Sequence, residues 1–292
     1  MTGVRPRVSV LVPFRDNAPH IERCIEAILA QDAPAVAYEV ILIDNGSRDG
    51  SRARALRFDG VRILEEAKPG AYAARNRGVA EARGEILLFT DADCAPDRSW
   101  MRHHLATIAE PGVHVVLGPR RPARETTLLR LMMLYEETKA SVIFDGTDQA
   151  LYYGYTNNMA VRKRTLVDMG GFQEVLRGAD SIFVRHLVAH NGEGAVRYHR
   201  DAVVTHLEML TLRHWYAKQA VYGRSNQRNR RRTITCRPLS LSKRWQTYRA
   251  AVRQHRLKGM DALLLLAVLV GGGMSHEAGR LVGRVGPVGV PS

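Results

Sequence analysis

Short apolar runs alternate with helically spaced apolar positions along the first half of the chain. Val8-Ser-Val-Leu-Val12 is β-rich, and Ile21, Cys24, Ile25, Ile28 and Leu29 follow at the spacing of one helix face. Val40-Ile-Leu-Ile43 reads as a second strand, closed by the turn-forming Asp44-Asn45-Gly46-Ser47. A helix near 49–58 leads to a short strand at 61–64. Gly70 opens a helix through about 82, and Glu85-Ile-Leu-Leu-Phe-Thr90 is the next buried strand. A helix near 99–108 and a strand at 113–117 complete the series. Repeated β-α-β units predict an α/β fold with a mainly parallel sheet and helices on both faces.

Residues 120–175 are less regular, with a predicted helix over 128–141 and a Tyr/Asn-rich stretch at 152–158. A helix near 180–190 precedes short strands around 195–198 and 202–205. From about 211 the chain becomes helical and basic. The expected division is a domain over 1–210 and a basic helical extension over 211–292.

Charge sharpens that division. The 292 residues carry a formal +14, yet residues 1–210 hold 27 Lys/Arg against 27 Asp/Glu. The whole excess lies in 211–292, with 16 Lys/Arg against Asp261 and Glu277. A neutral body with a basic tail implies two jobs. Leu241, Trp245, Tyr248 and Val252 share one helical face, with Lys243, Arg244, Arg249, Arg253 and Arg256 on the others. Such a helix suits a membrane surface, a lid over an anionic ligand, or packing on the body with a solvated basic face. The apolar run at 262–270 is short of the ~18–20 residues a spanning helix needs, so it is expected to dip into a leaflet at most. Without an RRM, KH or helix-turn-helix pattern, no nucleic acid is expected as a partner.

Three widely spaced cysteines, Cys24, Cys94 and Cys236, form no CxxC pair, which argues against a zinc knuckle or a disulfide framework. The apolar segment 8–14 runs straight into Arg15-Asp16, which is unlike a signal peptide. The expected location is cytoplasmic, with peripheral contact at the inner face of the membrane.

In an open parallel sheet, ligands bind beyond the carboxyl ends of the strands. Three polar clusters fall there: Pro13-Phe14-Arg15, Asp44-Asn45-Gly46-Ser47 and Asp91-Ala92-Asp93. Asp91 and Asp93, directly after a buried strand, can hold Mg²⁺ or Mn²⁺ through oxygen ligands and leave positions open for a diphosphate. The plainer use of the pair is as a helix N-cap ahead of Pro96.

Taken in order, Val8 to Arg15, Leu42-Ile-Asp-Asn-Gly-Ser-Arg-Asp49, Gly70-Ala-Tyr-Ala-Ala-Arg-Asn-Arg-Gly78, Phe89-Thr-Asp-Ala-Asp93, and Gly170-Gly-Phe172 through Gly178-Ala-Asp180 to His206 resemble family 2 inverting glycosyltransferases of the GT-A fold. The resemblance covers about residues 7–206. It implies a nucleoside diphosphate sugar donor, an acceptor hydroxyl of unknown identity and a divalent metal, Mg²⁺ or Mn²⁺. Asp44 would meet the nucleotide base, with Pro13, Phe14 and Arg15 beside it, and Arg75 would pack near the base. Asp91 and Ala92 would line the donor site, with Asp91 on ribose or metal. Asp93 would bind the metal bridging the diphosphate, and His206 would add a metal or phosphate ligand. Asp180 would be the general base. Where the family carries Glu-Asp this chain has Ala179-Asp180, and Asn45 replaces a second Asp in the Asp44 loop.

Plainer uses stay open for several of these: a turn residue for Asp44, a solvated helix face for Arg75, a buried histidine for His206, an N-cap for Asp180. A nucleotidyltransferase would share the sheet and carboxylates, but Pro13-Phe-Arg-Asp-Asn17 lacks the glycine-rich loop it would need. A non-catalytic protein binding anionic membrane or polymer through its tail would leave the ordered carboxylates unused.

Overall fold

The computed structural model describes residues 6–32, 36–175, 177–229 and 239–285. The elements are β1 (Val8–Phe14), α1 (Ile21–Leu29), β2 (Tyr38–Asp44), α2 (Ser51–Ala55), β3 (Val61–Glu65), α3 (Ala71–Glu81), β4 (Ile86–Thr90), β5 (Cys94–Pro96), α4 (Trp100–Ile108), β6 (Val115–Leu117) and β7 (Arg120–Pro122). Then come α5 (Thr127–Phe144), β8 (Asn158–Arg162), α6 (Lys163–Asp168), α7 (Ala179–Asn191), β9 (Val196–Tyr198), β10 (Val204–His206), α8 (Leu212–Asn229), α9 (Leu241–Gln254) and α10 (Gly259–Val285).

These elements form two compact units, one of residues 1–121 with 152–207, the other of 122–151 with 208–292. The first holds a seven-stranded sheet of order β3-β2-β1-β4-β8-β6-β9. β1, β2, β3 and β4 run parallel, β8 is antiparallel to both β4 and β6, and β9 is parallel to β6. This is the expected mixed, mainly parallel α/β sheet. Every residue of β1 and β4 is buried, as strands covered on both faces must be. Helix α1 turns Ile21, Cys24, Ile25 and Ile28 onto the sheet. The chain order reverses between β1 and β4, which opens a crevice at their carboxyl ends.

β5, β7, β8 and α6 carry no clear signal in the sequence. β8 follows the Tyr/Asn-rich stretch, and its Asn158 is a buried polar hub. Asn158 Oδ1 accepts from Trp100 Nε1 at 2.7 Å and lies 2.8 Å from His104 Nε2, while Nδ2 donates to the carbonyls of Pro119 and Ala202. Four bonds offset the cost of burying the amide.

The second unit is helical. Leu129, Met132, Met209, Trp215 and Val268 form one buried cluster, and Leu131, Tyr135, Ala251 and Leu265 another. The apolar run at 262–270 lies inside the 27-residue α10, which is long and apolar enough to cross a membrane. That corrects the expectation of a segment too short to span. The run continues helically through Gly271-Gly272-Gly273, where Tyr216 of α8 packs against Gly271 and Trp215 against Gly272. In α9 it is Thr247 and Ala251 that are buried, Tyr248 is half-buried, and Leu241 and Trp245 are exposed. Part of the basic segment, 230–238 with Cys236, lies outside the described residues.

Candidate active site

The carboxyl ends of β1 and β2 are laced together by their loops. Asp16 N donates to Ser47 Oγ, Arg48 N to Asp16 Oδ1 at 2.7 Å, and Asn17 N to Ser51 Oγ at 2.7 Å. Asp44 ends β2, buried, with Oδ1 accepting from Ser47 N at 2.9 Å and Oδ2 3.7 Å from Arg52. Pro13 and Phe14 are buried, and the Phe14 ring belongs to the hydrophobic core, so at this edge the residue offers its backbone. Arg15 is exposed beside Asp16. Asn45 donates from Nδ2 to the carbonyls of Glu66 and Lys68, and its Oδ1 accepts from Gly70 N, each at 2.8 Å. A carboxylate could not donate the first two bonds. Asn45 is thus a clip that fixes the entry to α3, a role its place in a turn did not reveal.

α3 carries Tyr72 and Arg75 to the end of β4. Arg75 is buried and ion-paired with Asp91, and its guanidinium lies 5.2 Å from the Tyr72 ring centroid. Its charge also acts on Asp180. Arg75 therefore acts on two carboxylates.

Asp93 is brought to His206 by the small antiparallel sheet. β5 pairs with β10 so that Cys94 faces His206, and Leu207 N donates to the Asp93 carbonyl at 2.7 Å. His206 Nε2 lies 3.5 Å from Asp93 Oδ2. Asp93, Cys94 and His206 present ligand atoms all within 4.8 Å of one another. Burial, reinforced by Asp93 and Asp91, pushes the Cys94 thiol well above its ordinary range. Asp93 and His206 offer a carboxylate and an imidazole, hard and borderline donors that suit Mn²⁺ or Mg²⁺ better than the thiol does. Asp91 points its carboxylate to Arg75 rather than into this cluster, and Ala92 between them is packed in the core.

Asp180 is the second residue of α7, which begins directly after Gly178, whose φ of 92° is a left-handed conformation that suits glycine. Its Oδ1 accepts from Ser181 N at 2.9 Å and Oδ2 from Thr156 N at 3.2 Å. Tyr72 also hydrogen-bonds this carboxylate, and the Tyr72 hydroxyl accepts from Gly178 N at 3.1 Å. Burial raises the Asp180 pKa, while Arg75 and these hydrogen bonds pull against the rise. Thr90, at the end of β4, donates to the Asn157 carbonyl, so the 156–157 segment joins the Asp180 loop to the Asp91 loop. Tyr72 and Thr156 escaped the sequence reading. Only the place of Tyr72 within the Gly70 to Gly78 motif hinted at a role.

A crevice at the switch point of a mixed sheet, edged by Asp44, Asp91 and Asp93, defines a GT-A fold. The sequence signature of glycosyl transferase family 2 matches residues 9–176, more than half of the chain. The chain belongs to that family. It is 41% identical to glycosyltransferase AglE of Haloferax volcanii over 123 residues, 40% of each chain. It is 26% identical to the pre-mycofactocin glycosyltransferase of Mycobacterium tuberculosis over 231 residues, 75% of this chain and 46% of that one. The chain thus spans less than half the length of these curated relatives. Among solved structures, mannosyltransferase PcManGT from Pyrobaculum calidifontis, in complex with GDP-Man and Mn²⁺, superposes with a TM-score of 0.64 at 22% identity, covering 96% of this chain and 86% of that one.

Proposed function

We propose that this chain is an inverting glycosyltransferase that moves a sugar from a nucleoside diphosphate sugar to an acceptor hydroxyl. The observation that carries it is the tie between carboxylates at the sheet edge, with Arg75 paired to Asp91 while its charge acts on Asp180, and His206 beside Asp93. Asp44 and the backbone at 13–15 bind the base, and Asp91 and Ala92 line the donor site within the 1–210 region. A divalent ion, Mn²⁺ or Mg²⁺, held by Asp93 and His206, with Asp91 as a further ligand once released from Arg75, would neutralise the leaving diphosphate. Asp180 takes the acceptor proton, and its buried, raised carboxyl is well matched to that work. Ser181 N, Thr156 N and Tyr72 hold the carboxylate in place. The family, and a neighbour bound to GDP-Man and Mn²⁺, support the donor class and the metal.

A thermal-shift series with UDP and GDP, with and without Mn²⁺, tests donor binding. Stabilisation by one nucleotide that requires the metal is expected; no response to either would overturn the proposal. A product of unchanged anomeric configuration would refute inversion. The basic extension completes the reading: it holds the enzyme peripherally at anionic membrane on the cytoplasmic side, beside a membrane-proximal acceptor.

A further inference from the structure

The two faces of α10 are used differently. Leu265, Val268, Gly272 and Gly279 are buried at helical spacing. Leu265 packs with Leu131, Tyr135 and Ala251, and Val268 with Leu129, Met132 and Trp215. Against α8 the backbones touch: a Cβ on Gly279 would lie 1.9 Å from the Ala220 carbonyl, and one on Gly223 1.9 Å from that of His276. This face is committed to the protein.

Among the described residues the opposite face has no such partner. Met260, Leu263, Val270, Met274 and Leu281 are each at least half exposed, with Ala267 and Ala278 exposed between them. They follow one another at steps of three, four or seven residues, and so form one stripe, about 31 Å long at 1.5 Å per residue. A continuous apolar strip of this length marks a binding surface. The two acidic residues of α10, Asp261 and Glu277, are ion-paired with Arg130 and Arg280.

Charge identifies the occupant. Arg253, Arg256 and Lys258 are exposed and lead into the start of the stripe. Half-exposed Trp245 stacks on Tyr248, whose hydroxyl donates to the Ala262 carbonyl at 3.0 Å, placing an interfacial aromatic at the same end. A second copy would bring like charges together, whereas anionic lipid complements them. α10 has the length and composition to span a bilayer, but its committed face carries α8, with Arg213, His214 and Arg224 exposed. Hydrocarbon cannot surround such a pair without burying those charges.

We propose that α10 lies flat in the membrane–water interface of an anionic bilayer, its Met260 to Leu281 stripe sunk among the acyl chains and its α8 face turned to the protein. This rests on the membrane reading above and deepens it by naming the inserting surface and its orientation.

The test is flotation of the full chain with phosphatidylcholine vesicles, with or without phosphatidylglycerol, at low and high salt. The wild type is expected to float with phosphatidylglycerol vesicles, keep a salt-resistant bound fraction, and be released by alkaline carbonate. Val270→Glu/Met274→Glu should lose the salt-resistant fraction while its melting temperature stays unchanged. If wild type never floats, the membrane reading fails and this inference with it. If wild type floats but the double variant binds equally, or salt strips wild type completely, only the α10 assignment fails. Resistance to carbonate would mean a spanning helix, and a dimer dissolved by the double substitution would give the stripe to a second copy. Thermal shift with nucleotides reads the donor site separately in all these samples.

Discussion

The two units handle polar and apolar groups in opposite ways. Among the described residues, the sheet-containing unit exposes three large hydrophobic side chains, Leu29, Leu56 and Val167, against eleven in the helical unit. The first unit buries polar groups instead, and ties them: Asn158 with Trp100 and His104, Asn45 across two loops, Asp180 with Thr156 and Tyr72. Where the functional groups are buried, each is held by several neighbours, and removing one leaves others unsatisfied. Where the surface is apolar and open, the fold asks little of it. The difference separates a site built to hold atoms in place from a surface built to meet another phase.

Substitutions sharpen this contrast, and their effects should fall from the first unit to the second. Asp180→Asn is expected to cost most, about 10²–10⁴-fold in transfer rate with donor binding kept, if Asp180 is the general base. Turnover within a few-fold of wild type would remove it from that role.

Next comes a pH effect on stability. Burial lowers the His104 pKa from its usual 6.5 to about 4. As pH falls, the unfolded chain takes up the proton first. The stability His104 confers is therefore complete above about 6.5 and lost between 6.5 and 4, on the order of 3 kcal/mol. His104→Gln, which can still donate to Asn158, should flatten that part of the melting temperature against pH curve. An equal slope in both proteins would refute the account.

Asp93→Ala should weaken nucleoside diphosphate binding by roughly tenfold or more, the scale of a lost charge-assisted contact, and abolish its metal dependence. Titration calorimetry with and without Mn²⁺ decides it, and metal-dependent affinity equal to wild type would contradict the assignment. Tyr72→Phe keeps the ring against Phe172 and Arg75 but removes a hydrogen bond that favours the charged Asp180. A loss of about two- to tenfold in rate is expected, with the acid limb of the pH–rate profile moving upward. An unmoved limb would mean that the hydroxyl serves only Gly178.

The smallest effect belongs to the second unit. Single polar substitutions at Leu263 or Met274 should change stability by no more than about 0.5 kcal/mol, measured by denaturant unfolding. A larger loss would show that the stripe is covered within the protein.

Much of the first unit was legible in the chain. Apolar runs fixed β1, β2 and β4, because a strand buried on both faces is mostly apolar along its length. Helical spacing fixed α1 in the same way, and α5 and α7 were found near their bounds. With the strands placed, Asp44, Asp91 and Asp93 had to fall at the carboxyl edge. β8 stayed hidden because its signal is mixed with the polar Asn158 that it buries, and β5 and β7 because three residues carry no period.

Partnerships were a different matter. Local pattern says which face of a helix is apolar, not what covers it. α5 falls within the first 210 residues, yet it clusters with the C-terminal helices, since Leu129, Leu131 and Met132 fill the same clusters as Ala251, Leu265 and Val268. The motif marks Arg75 without showing its partner, which the approach of α3 to β4 supplies in Asp91. The nine-residue apolar run lies in a 27-residue helix whose glycines pack against α8, and among the described residues one face of large apolar side chains is left exposed. Each of these outcomes depends on contacts between residues far apart in the chain, which short-range periodicity cannot encode.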